Sequence, residues 1–184
     1  MHGAGRCTTR TATKKPNIGG VMQTMRVEEL EFEGFLPFGY YVQLIDPDAE
    51  KFGAPPREFF RDMLQLNLGP SMMASFSVCR VKKRALSIEA LEYNAFTGEG
   101  ILPLDKDSII PVGPASRPDT FPGEKIKAFR IPRGTMVVLR PGIWHHAPFT
   151  ANDAPANVLI ILPERDNDCT VENLPNAKYI RIEL

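Results

Sequence analysis

Two adjacent histidines, His145 and His146, are the residues of this chain best suited to acid–base chemistry. The chain contains three histidines, and the third, His2, stands near the N-terminus. Imidazole titrates near neutral pH, so one positioned histidine can donate or accept a proton at physiological pH. Residues 134–149, GTMVVLRPGIWHHAPF, consist of an apolar run, an Arg-Pro-Gly turn and a second run that holds both histidines. This pattern predicts strand, turn, strand, with one histidine of the pair facing a given cavity.

A second group of polar residues lies upstream, in residues 88–105 with the sequence IEALEYNAFTGEGILPLD. Glu92 and Asn94 are two residues apart and therefore share one face of a predicted strand, whereas Glu99 follows a Thr-Gly turn. Polar side chains that point into a small barrel mark a cavity, because most inward positions hold apolar side chains. Two carboxylates and one imidazole can bind a divalent metal or divide acid and base roles, and the residues alone leave both alternatives open.

The elements that would position these residues are mainly β-strands. Short runs rich in Val, Ile and Phe alternate with clusters that hold most of the 17 prolines and 14 glycines, and such clusters form turns. Only residues 27–32 and 57–63 are predicted as short helices. Many short strands with little helix predict one all-β domain, an antiparallel sandwich or barrel. The predicted strands cover residues 40–45, 63–68, 74–81, 87–93, 101–104, 108–112, 126–131, 135–139, 143–148, 157–162 and 179–182.

Length and composition indicate one globular domain, because 184 residues with 43% hydrophobic content suffice for a single sizeable core. Residues 1–24 contain no acidic residue and no apolar signal core, so we predict a flexible leader or arm there, with a transit peptide as an alternative. The barrel domain is predicted for residues 25–184. Residues 113–123 form the longest predicted loop, which is suited to cover a site.

Charge and cysteine usage exclude several classes of function. The formal net charge is zero, but residues 1–24 contribute only basic charges, so the predicted domain is net acidic and unsuited to nucleic acid. No apolar run approaches the roughly 18 residues of a membrane span. Cys7, Cys79 and Cys169 show no metal or redox spacing and are predicted to be free thiols of a cytoplasmic protein. A catalytic cysteine paired with His145 is a further alternative.

The spacing of both polar segments resembles the cupin superfamily. Glu92-x-Asn94, four residues and Glu99 stand where the first cupin motif has His-x-His, four residues and Glu, and residues 141–145, PGIWH, match the second. Within that superfamily the chain is similar to the ureidoglycolate lyase family, whose Gly-x-Trp-His-His signature is matched by residues 142–146. Further matches are Pro103-Leu104, the Ala-Phe pair at 128–129 and FLPFG at 35–39. The similarity covers most of residues 25–174.

This resemblance implies a cupin-like double-stranded β-helix, a jelly-roll barrel, and a lyase of allantoin degradation that cleaves ureidoglycolate into glyoxylate and urea. It also implies a divalent metal of the nickel or zinc class. His145 and Glu99 would transfer protons or bind that metal, and Glu92, the third catalytic residue, would orient the substrate or the metal together with Asn94. The remaining residues would contact the carboxylate substrate: Asn94, Arg130, Lys127, Trp144 and His146. Of these, Arg130, or else Lys127, would bind the substrate carboxylate, and Trp144 also suits a core position.

Two positions depart from the family pattern, because Asn94 replaces a histidine and Glu99 replaces a glutamine. Asparagine is a weak metal ligand and no base near neutral pH, whereas glutamate can serve as both. These departures keep two alternatives open: a cupin enzyme for another small acid or sugar, and a non-catalytic carboxylate-binding cupin. An open strand edge invites pairing, so we expect a homodimer that uses the alternating C-terminal strand at residues 178–183.

Overall fold

The computed structural model describes residues 8–10, 23–117, 120–164, 169–174 and 179–184, and it confirms the predicted all-β class. Apart from one helical turn, α1 (Phe32–Phe35), and one 3-10 turn (Gly123–Lys125), the regular elements in these ranges are strands. They are β1 (Thr8–Arg10), β2 (Thr24–Glu29), β3 (Gly39–Gln43), β4 (Phe52–Ala54), β5 (Arg57–Phe59), β6 (Ala74–Val81), β7 (Ser87–Ile88), β8 (Ala90–Asn94), β9 (Glu99–Pro103), β10 (Ser108–Gly113), β11 (Lys127–Ile131), β12 (Thr135–Leu139), β13 (Trp144–His145), β14 (Phe149–Thr150), β15 (Ala156–Pro163), β16 (Cys169–Asn173) and β17 (Ile180–Glu183).

Two sheets form the molecule, as expected for a jelly-roll barrel. The larger sheet has the order β1-β16-β8-β13-β10-β11-β2-β17-β7, with β14 paired to β10, and the smaller has the order β3-β12-β9-β15-β6. Strands β4 and β5 form a separate hairpin. Pairs in the smaller sheet are all antiparallel, whereas β1, β2 and β17 enter the larger sheet through parallel pairs. The fold therefore departs from the predicted antiparallel arrangement where its N- and C-terminal strands join the large sheet.

Apolar side chains fill two layers. The first lies between the sheets, and its members include Phe35, Phe129, Ile110, Val137 and Val158. The second lies on the other face of the large sheet, where residues such as Leu91, Ile109 and Trp144 pack together. Because the large sheet is covered on both faces, every residue of β10 is buried, and its sequence reads as a continuous apolar run rather than an alternation.

The predicted helix at residues 27–32 is wrong, because Val27 to Glu29 belong to β2. This segment is rich in glutamate, which favours helix in isolation, but it pairs with β11 and β17 instead. Its acidic side chains meet basic partners on β11: Lys127 Nζ lies 2.9 Å from Glu28 and Arg130 Nε lies 3.2 Å from Glu29. Pairing across the sheet thus outweighs local propensity here.

Several other predicted elements differ from the observed ones in their bounds or type. Of the helix predicted at residues 57–63, the first three residues form β5, and the strand predicted at 63–68 has no regular structure. The single strand predicted at 87–93 is divided at Glu89 into β7 and β8, which pair with different neighbours. Strand β16 was missed. The predicted arm at residues 1–24 contains β1, which pairs with β16, and residues 1–7 and 11–22, with Cys7, lie outside the described ranges.

The C-terminal strand is enclosed on both sides. Strand β17 pairs in parallel with β2 and antiparallel with β7, so it does not present the open edge that its alternating sequence suggests. An end of the smaller sheet is instead formed by β6, an eight-residue strand. Within the described residues, no helix is long and apolar enough to cross a membrane.

Candidate active site

A tight turn positions His145. After β12 the chain reverses at residues 140–142, where Gly142 adopts φ +79°, a left-handed conformation that favours glycine. The Gly142 amide donates a 2.7 Å hydrogen bond to the carbonyl of Asn94, which ties this turn to the end of β8. The two polar segments identified in the sequence are therefore joined through their backbones.

Strand β13 places its two residues on opposite faces, as the alternation of a strand requires. Trp144 packs in the layer outside the large sheet, with its ring centroid 4.5 Å from that of Tyr93. His145 pairs with Val112 on one side and with Glu92 on the other, so it shares the inward face with Glu92. Trp144 is thus a core residue, and the substrate contact predicted for it is not visible in this packing.

Glu99 and Asn94 complete a buried polar group around His145. Strand β9 begins at Glu99, whose carboxylate oxygen Oε2 lies 2.9 Å from His145 Nε2. The same oxygen accepts a 3.2 Å hydrogen bond from Asn94 Nδ2. Glu92 Oε1 is farther away, 3.9 Å from His145 Nε2, and its side chain is one-third exposed. The structure therefore brings together Glu92, Asn94, Glu99 and His145, four residues singled out from the sequence.

The imidazole of His145 is charged in this environment. Burial lowers its pKa, but the negative charges of Glu99 and Glu92 outweigh burial and raise the pKa to about 9. The Nδ1–H group donates to the carbonyl of Ile143 at 2.9 Å, which fixes the ring orientation. The N–H of Nε2 is not aligned with Glu99 Oε2 well enough for a regular hydrogen bond, so the 2.9 Å contact is an ion pair. His145 is a protonated acid beside two carboxylates.

His146 lies next to this group but in a different environment. Its ring stacks on Phe149, with centroids 4.8 Å apart and an interplanar angle of 7°. Burial, and after it the positive charges of Arg84 and His145, lower its pKa to about 4, so the ring is neutral at pH 7. Nδ1–H donates to the carbonyl of Ala147 at 2.6 Å. His146 therefore lines the cavity as a neutral ring and is not a second acid.

A cavity of about 180 Å³ adjoins these residues. Its walls are formed by strands β8 and β16 and by the segment that follows β13. The lining residues are Ala90, Leu91, Glu92, His145, His146, Ala147 and Val171. The thiol of Cys169 donates to Glu92 Oε2 at 3.5 Å. Sequence reasoning missed Cys169 as a neighbour of the site because β16, which brings it opposite Asn94, was not predicted.

The two basic residues predicted to bind the substrate carboxylate are differently placed. Arg130 alternates with the inward-facing Phe129 and is paired with Glu29. Lys127 pairs with Val112 on the neighbouring strand, and Val112 pairs with His145 on the next one. Lys127 therefore lies two strands, roughly 10 Å, from His145. Its ammonium group is paired with Glu28. Neither cation joins the buried group.

The predicted loop at residues 113–123 borders Trp144 rather than the cavity. Trp144 Nε1–H donates to Ser116 Oγ at 2.8 Å, and the Phe121 ring lies 6.1 Å from the Trp144 ring. Residues 118 and 119 lie outside the described ranges.

The residues present do not form a complete metal site. His145 Nε2 and Glu99 Oε2 are ligand types that nickel and zinc accept, and they lie close together. In the described part of the chain, however, no three His, Cys, Asp or Glu side chains converge on one point. Glu92, the nearest further carboxylate, is 3.9 Å from Nε2, and Asn94 turns its NH₂ group toward Glu99. Binding of a metal by His145 and Glu99 therefore stays a prediction.

Comparisons with solved structures return three representative similarities. A mutant of the Bacillus subtilis oxalate decarboxylase is 14% identical, with a TM-score of 0.40, over 52% of this chain and 23% of that chain. The Lactobacillus farciminis oxalate decarboxylase in its formate complex is 10% identical, with a TM-score of 0.41, over 66% and 33%. Peruvianin-I, a cysteine peptidase from Thevetia peruviana latex, is 13% identical, with a TM-score of 0.41, over 55% and 57%. The chain thus spans between 23% and 57% of the length of these proteins.

A comparison with curated proteins returns no match. The family model described as ureidoglycolate lyase matches residues 22–181, which include the turn at Gly142, the His145–His146 pair and the Glu92–Glu99 segment. Because the match spans most of the chain, this protein belongs to the ureidoglycolate lyase family.

Proposed function

We propose that this protein is a carbon–nitrogen lyase that cleaves ureidoglycolate into glyoxylate and urea. The observation that carries the proposal is the buried ion pair of His145 and Glu99, 2.9 Å apart beside a cavity that Glu92 also lines. An acid and a base of different strength, held close together in a small cavity, are what the elimination requires. Membership of the family supports the same substrate class.

The reaction needs two proton transfers. A base removes the proton from the carbinol hydroxyl, the carbon–oxygen double bond of glyoxylate forms, and the bond from that carbon to the ureido nitrogen breaks. An acid then protonates the departing nitrogen, which leaves as urea. We assign the acid to His145, because its neighbouring carboxylates keep it protonated. Urea nitrogen is a poor leaving group without that proton, so an imidazole that is protonated at neutral pH suits this step.

Glu92 is assigned as the base. Its side chain is one-third exposed and lines the cavity, so a substrate hydroxyl can reach it. Glu99 is almost buried, and its Oε2 atom already contacts both His145 and Asn94. Glu99 therefore serves to hold the charge and position of His145, and Asn94 holds Glu99. This division reverses the roles that the sequence suggested for the two glutamates.

Binding of a divalent metal of the nickel or zinc class by His145 and Glu99 is the alternative to the acid role of His145, because an imidazole must be deprotonated to bind a metal ion. When bound, such an ion would supply Lewis-acid polarisation of a substrate oxygen. None of the proton transfers assigned above passes through it, because the described residues offer two converging ligands and no third.

The test is glyoxylate release from ureidoglycolate by the full chain, measured with a chelator and separately with added nickel or zinc. We expect release in all three conditions and its loss in His145→Ala. Release that depends on added metal would assign the acid role to a metal site instead. No release in any condition would contradict the lyase proposal.

A second candidate is a cupin enzyme that acts on another small hydroxy acid or sugar. The hydrogen bond between Asn94 and Glu99 favours it, because both positions depart from the family pattern and contact each other. A panel of small hydroxy acids in the same assay format separates the candidates. Binding without turnover of any member would favour the third alternative, a carboxylate-binding cupin.

We further propose a cytoplasmic homodimer. The free thiol at Cys79 suits a reducing compartment. Strand β6 replaces β17 as the expected pairing edge, because it ends the small sheet and carries the exposed side chains of Phe76 and Val78. Sedimentation of Phe76→Glu beside the unmodified chain tests this: a dimer that persists in the variant would contradict the β6 interface.

A further inference from the structure

Arg84 is a basic residue with an unusual set of neighbours. It lies in the connection between β6 and β7, and its guanidinium carbon sits 4.2 Å from the centroid of the Phe149 ring. Its Nη2 atom donates to the carbonyls of Ala147 and Pro148, at 3.2 and 3.3 Å. The aromatic ring and the two carbonyls fix the plane of the guanidinium group.

These contacts place Arg84 at the rim of the cavity beside His145. Ala147, whose carbonyl Arg84 holds, lines that cavity together with His146. The ring of His146 stacks on Phe149, the same ring that contacts Arg84. Besides burial, the positive charge of Arg84 contributes to the lowered pKa of His146, as expected for a cation close to the imidazole. A fixed positive charge thus lies next to two residues that line the cavity, Ala147 and His146.

The guanidinium group has no carboxylate partner among the described residues. The other two candidate cations do, because Lys127 pairs with Glu28 and Arg130 pairs with Glu29. The hydrogen bonds of Arg84 use Nη2, which leaves the N–H groups of Nε and Nη1 for another acceptor. Glu89 acts on this partly desolvated guanidinium through its charge but does not form an ion pair with it. Arg84 is therefore well suited to bind an anion, and its planar fork matches a carboxylate.

A carboxylate ligand in this cavity would need such a cation. Glu92 lines it and Glu99 lies behind His145, so the carboxylates outnumber the charged imidazole. A carboxylate ligand would be repelled from this end of the cavity and would need a positive group elsewhere. The rim beside His146 is where the structure supplies one.

We propose that Arg84 binds the carboxylate of the substrate at the rim, with the reacting carbinol carbon turned toward His145 and Glu92. The identity of the substrate rests on the proposed function, whereas the carboxylate site rests on the contacts of Arg84 alone. Arg84 is then a specificity-determining residue for 2-substituted acetic acids, and neither Arg130 nor Lys127 is needed for that role.

The first experiment compares KM and kcat for ureidoglycolate in Arg84→Gln, Arg84→Lys and Lys83→Gln. Lys83 is the matched control, because it is the adjacent residue, carries the same charge and pairs with Asp153 at 2.5 Å, outside the cavity. We expect Arg84→Gln to raise KM by about 10- to 100-fold with little change in kcat, as for a lost charge-assisted hydrogen-bonding group. Arg84→Lys recovers part of the affinity and shows that the effect does not come from misfolding. Unchanged KM in both Arg84 variants would overturn the proposal.

The second experiment measures binding of glycolate by calorimetry and needs no turnover. We expect the unmodified chain and Lys83→Gln to bind glycolate with similar affinity, and Arg84→Gln to lose about tenfold or more in affinity. If glycolate binding depends on Arg84 but no glyoxylate is released, the lyase proposal fails and the carboxylate site stands. If ureidoglycolate is cleaved with unchanged KM in Arg84→Gln, the lyase stands and the carboxylate site fails. Absence of glycolate binding to the unmodified chain, together with absence of turnover, would also overturn the site.

Discussion

His145 and His146 are neighbours in the chain, yet their surroundings move their protonation in opposite directions. His145 is 3% exposed and faces two carboxylates, which hold a proton on it up to a pKa of about 9. His146 is 9% exposed and stacks on Phe149 without a carboxylate, and its pKa falls to about 4. Similar burial therefore gives opposite charge states.

The difference shows that a counter-charge, rather than burial, decides what a histidine can do in this site. Desolvation lowers the pKa of both rings. The charges of Glu99, in direct contact with His145, and of Glu92 reverse that effect for His145. The Trp-His-His signature therefore holds one protonated and one neutral ring, and Glu99 beside His145 accounts for most of that difference.

The largest expected difference between the two histidines is in catalysis. We expect His145→Ala to lower the rate of glyoxylate release by about 10²- to 10⁴-fold, the usual range for a lost general acid. His146→Phe keeps a flat ring on Phe149 and should lower the rate by no more than about tenfold. Steady-state assays of both variants give the comparison. Equal losses would show that the neutral ring of His146 takes part in the chemistry.

Replacing Glu99 by Gln should lower the pKa of His145, so that its protonation state becomes more like that of His146. In the unmodified protein, the alkaline limb of the pH–rate profile is expected near pH 9, where His145 loses its proton. Without the Glu99 charge, burial dominates and this limb should move toward or below the ordinary histidine pKa of about 6.5. Glu58→Gln, a change in the β4–β5 hairpin, is the matched control. A limb that stays near pH 9 in Glu99→Gln would contradict the assignment of His145 as the acid.

The two histidines should contribute to the pH dependence of the free energy of unfolding with opposite signs. His146 has a folded pKa below its unfolded value, so the unfolded chain binds more protons between about pH 4 and 6.5, and its contribution to stability rises with pH there. His145 has a folded pKa above its unfolded value, so its contribution is complete below about pH 6.5 and is lost as pH rises through about 9.

Each contribution is on the order of 3 kcal/mol at its limit. Urea titrations across this pH range measure the free energy of unfolding directly. His146→Phe should flatten the acidic side alone and His145→Gln the alkaline side alone. Loss of both slopes in one variant would mean that the two titrations are coupled.

The smallest expected effect concerns the residue that holds Glu99. Asn94→Ala removes the 3.2 Å hydrogen bond to Glu99 Oε2 but leaves the charge beside His145. We expect a loss of about 1 kcal/mol in the free energy of unfolding and only a few-fold loss of rate. Thermal unfolding with the glyoxylate assay checks both. A loss of rate as large as that of Glu99→Gln would place Asn94 in contact with the substrate.

The centre of the site could be predicted from the sequence because its residues lie in two local patterns. Glu92 and Asn94 share a strand face through their spacing, and the Arg-Pro-Gly turn places His145 after a strand. The family resemblance put Glu99 and His145 in one site, but their 2.9 Å contact depends on strands far apart in the chain and does not follow from local patterns. The charge state of each histidine follows only from those contacts.

The periphery of the fold was harder to predict for the same reason. Strand β2 resembles a helix by composition, and only its parallel neighbours β11 and β17 show otherwise. Arg130 and Lys127 were attractive as substrate ligands until their partners on β2 were visible. No local sequence pattern marks Arg84 as a substrate ligand, because its neighbours Ala147 and Phe149 are more than 60 residues away in the chain. A basic residue can be assigned as a ligand of the substrate carboxylate only when its acidic partners in the fold are known.

Trp144, described above as a core residue, also gives the protein a built-in optical reporter. It is the only tryptophan of the chain, it is 1% exposed, and it directly precedes His145. Its indole N–H is held by Ser116, and its ring contacts Tyr93 on the strand that carries Glu92 and Asn94. The tryptophan fluorescence of the whole protein therefore originates one residue away from His145. Emission wavelength and quenching can follow ligand binding at this site without an introduced label.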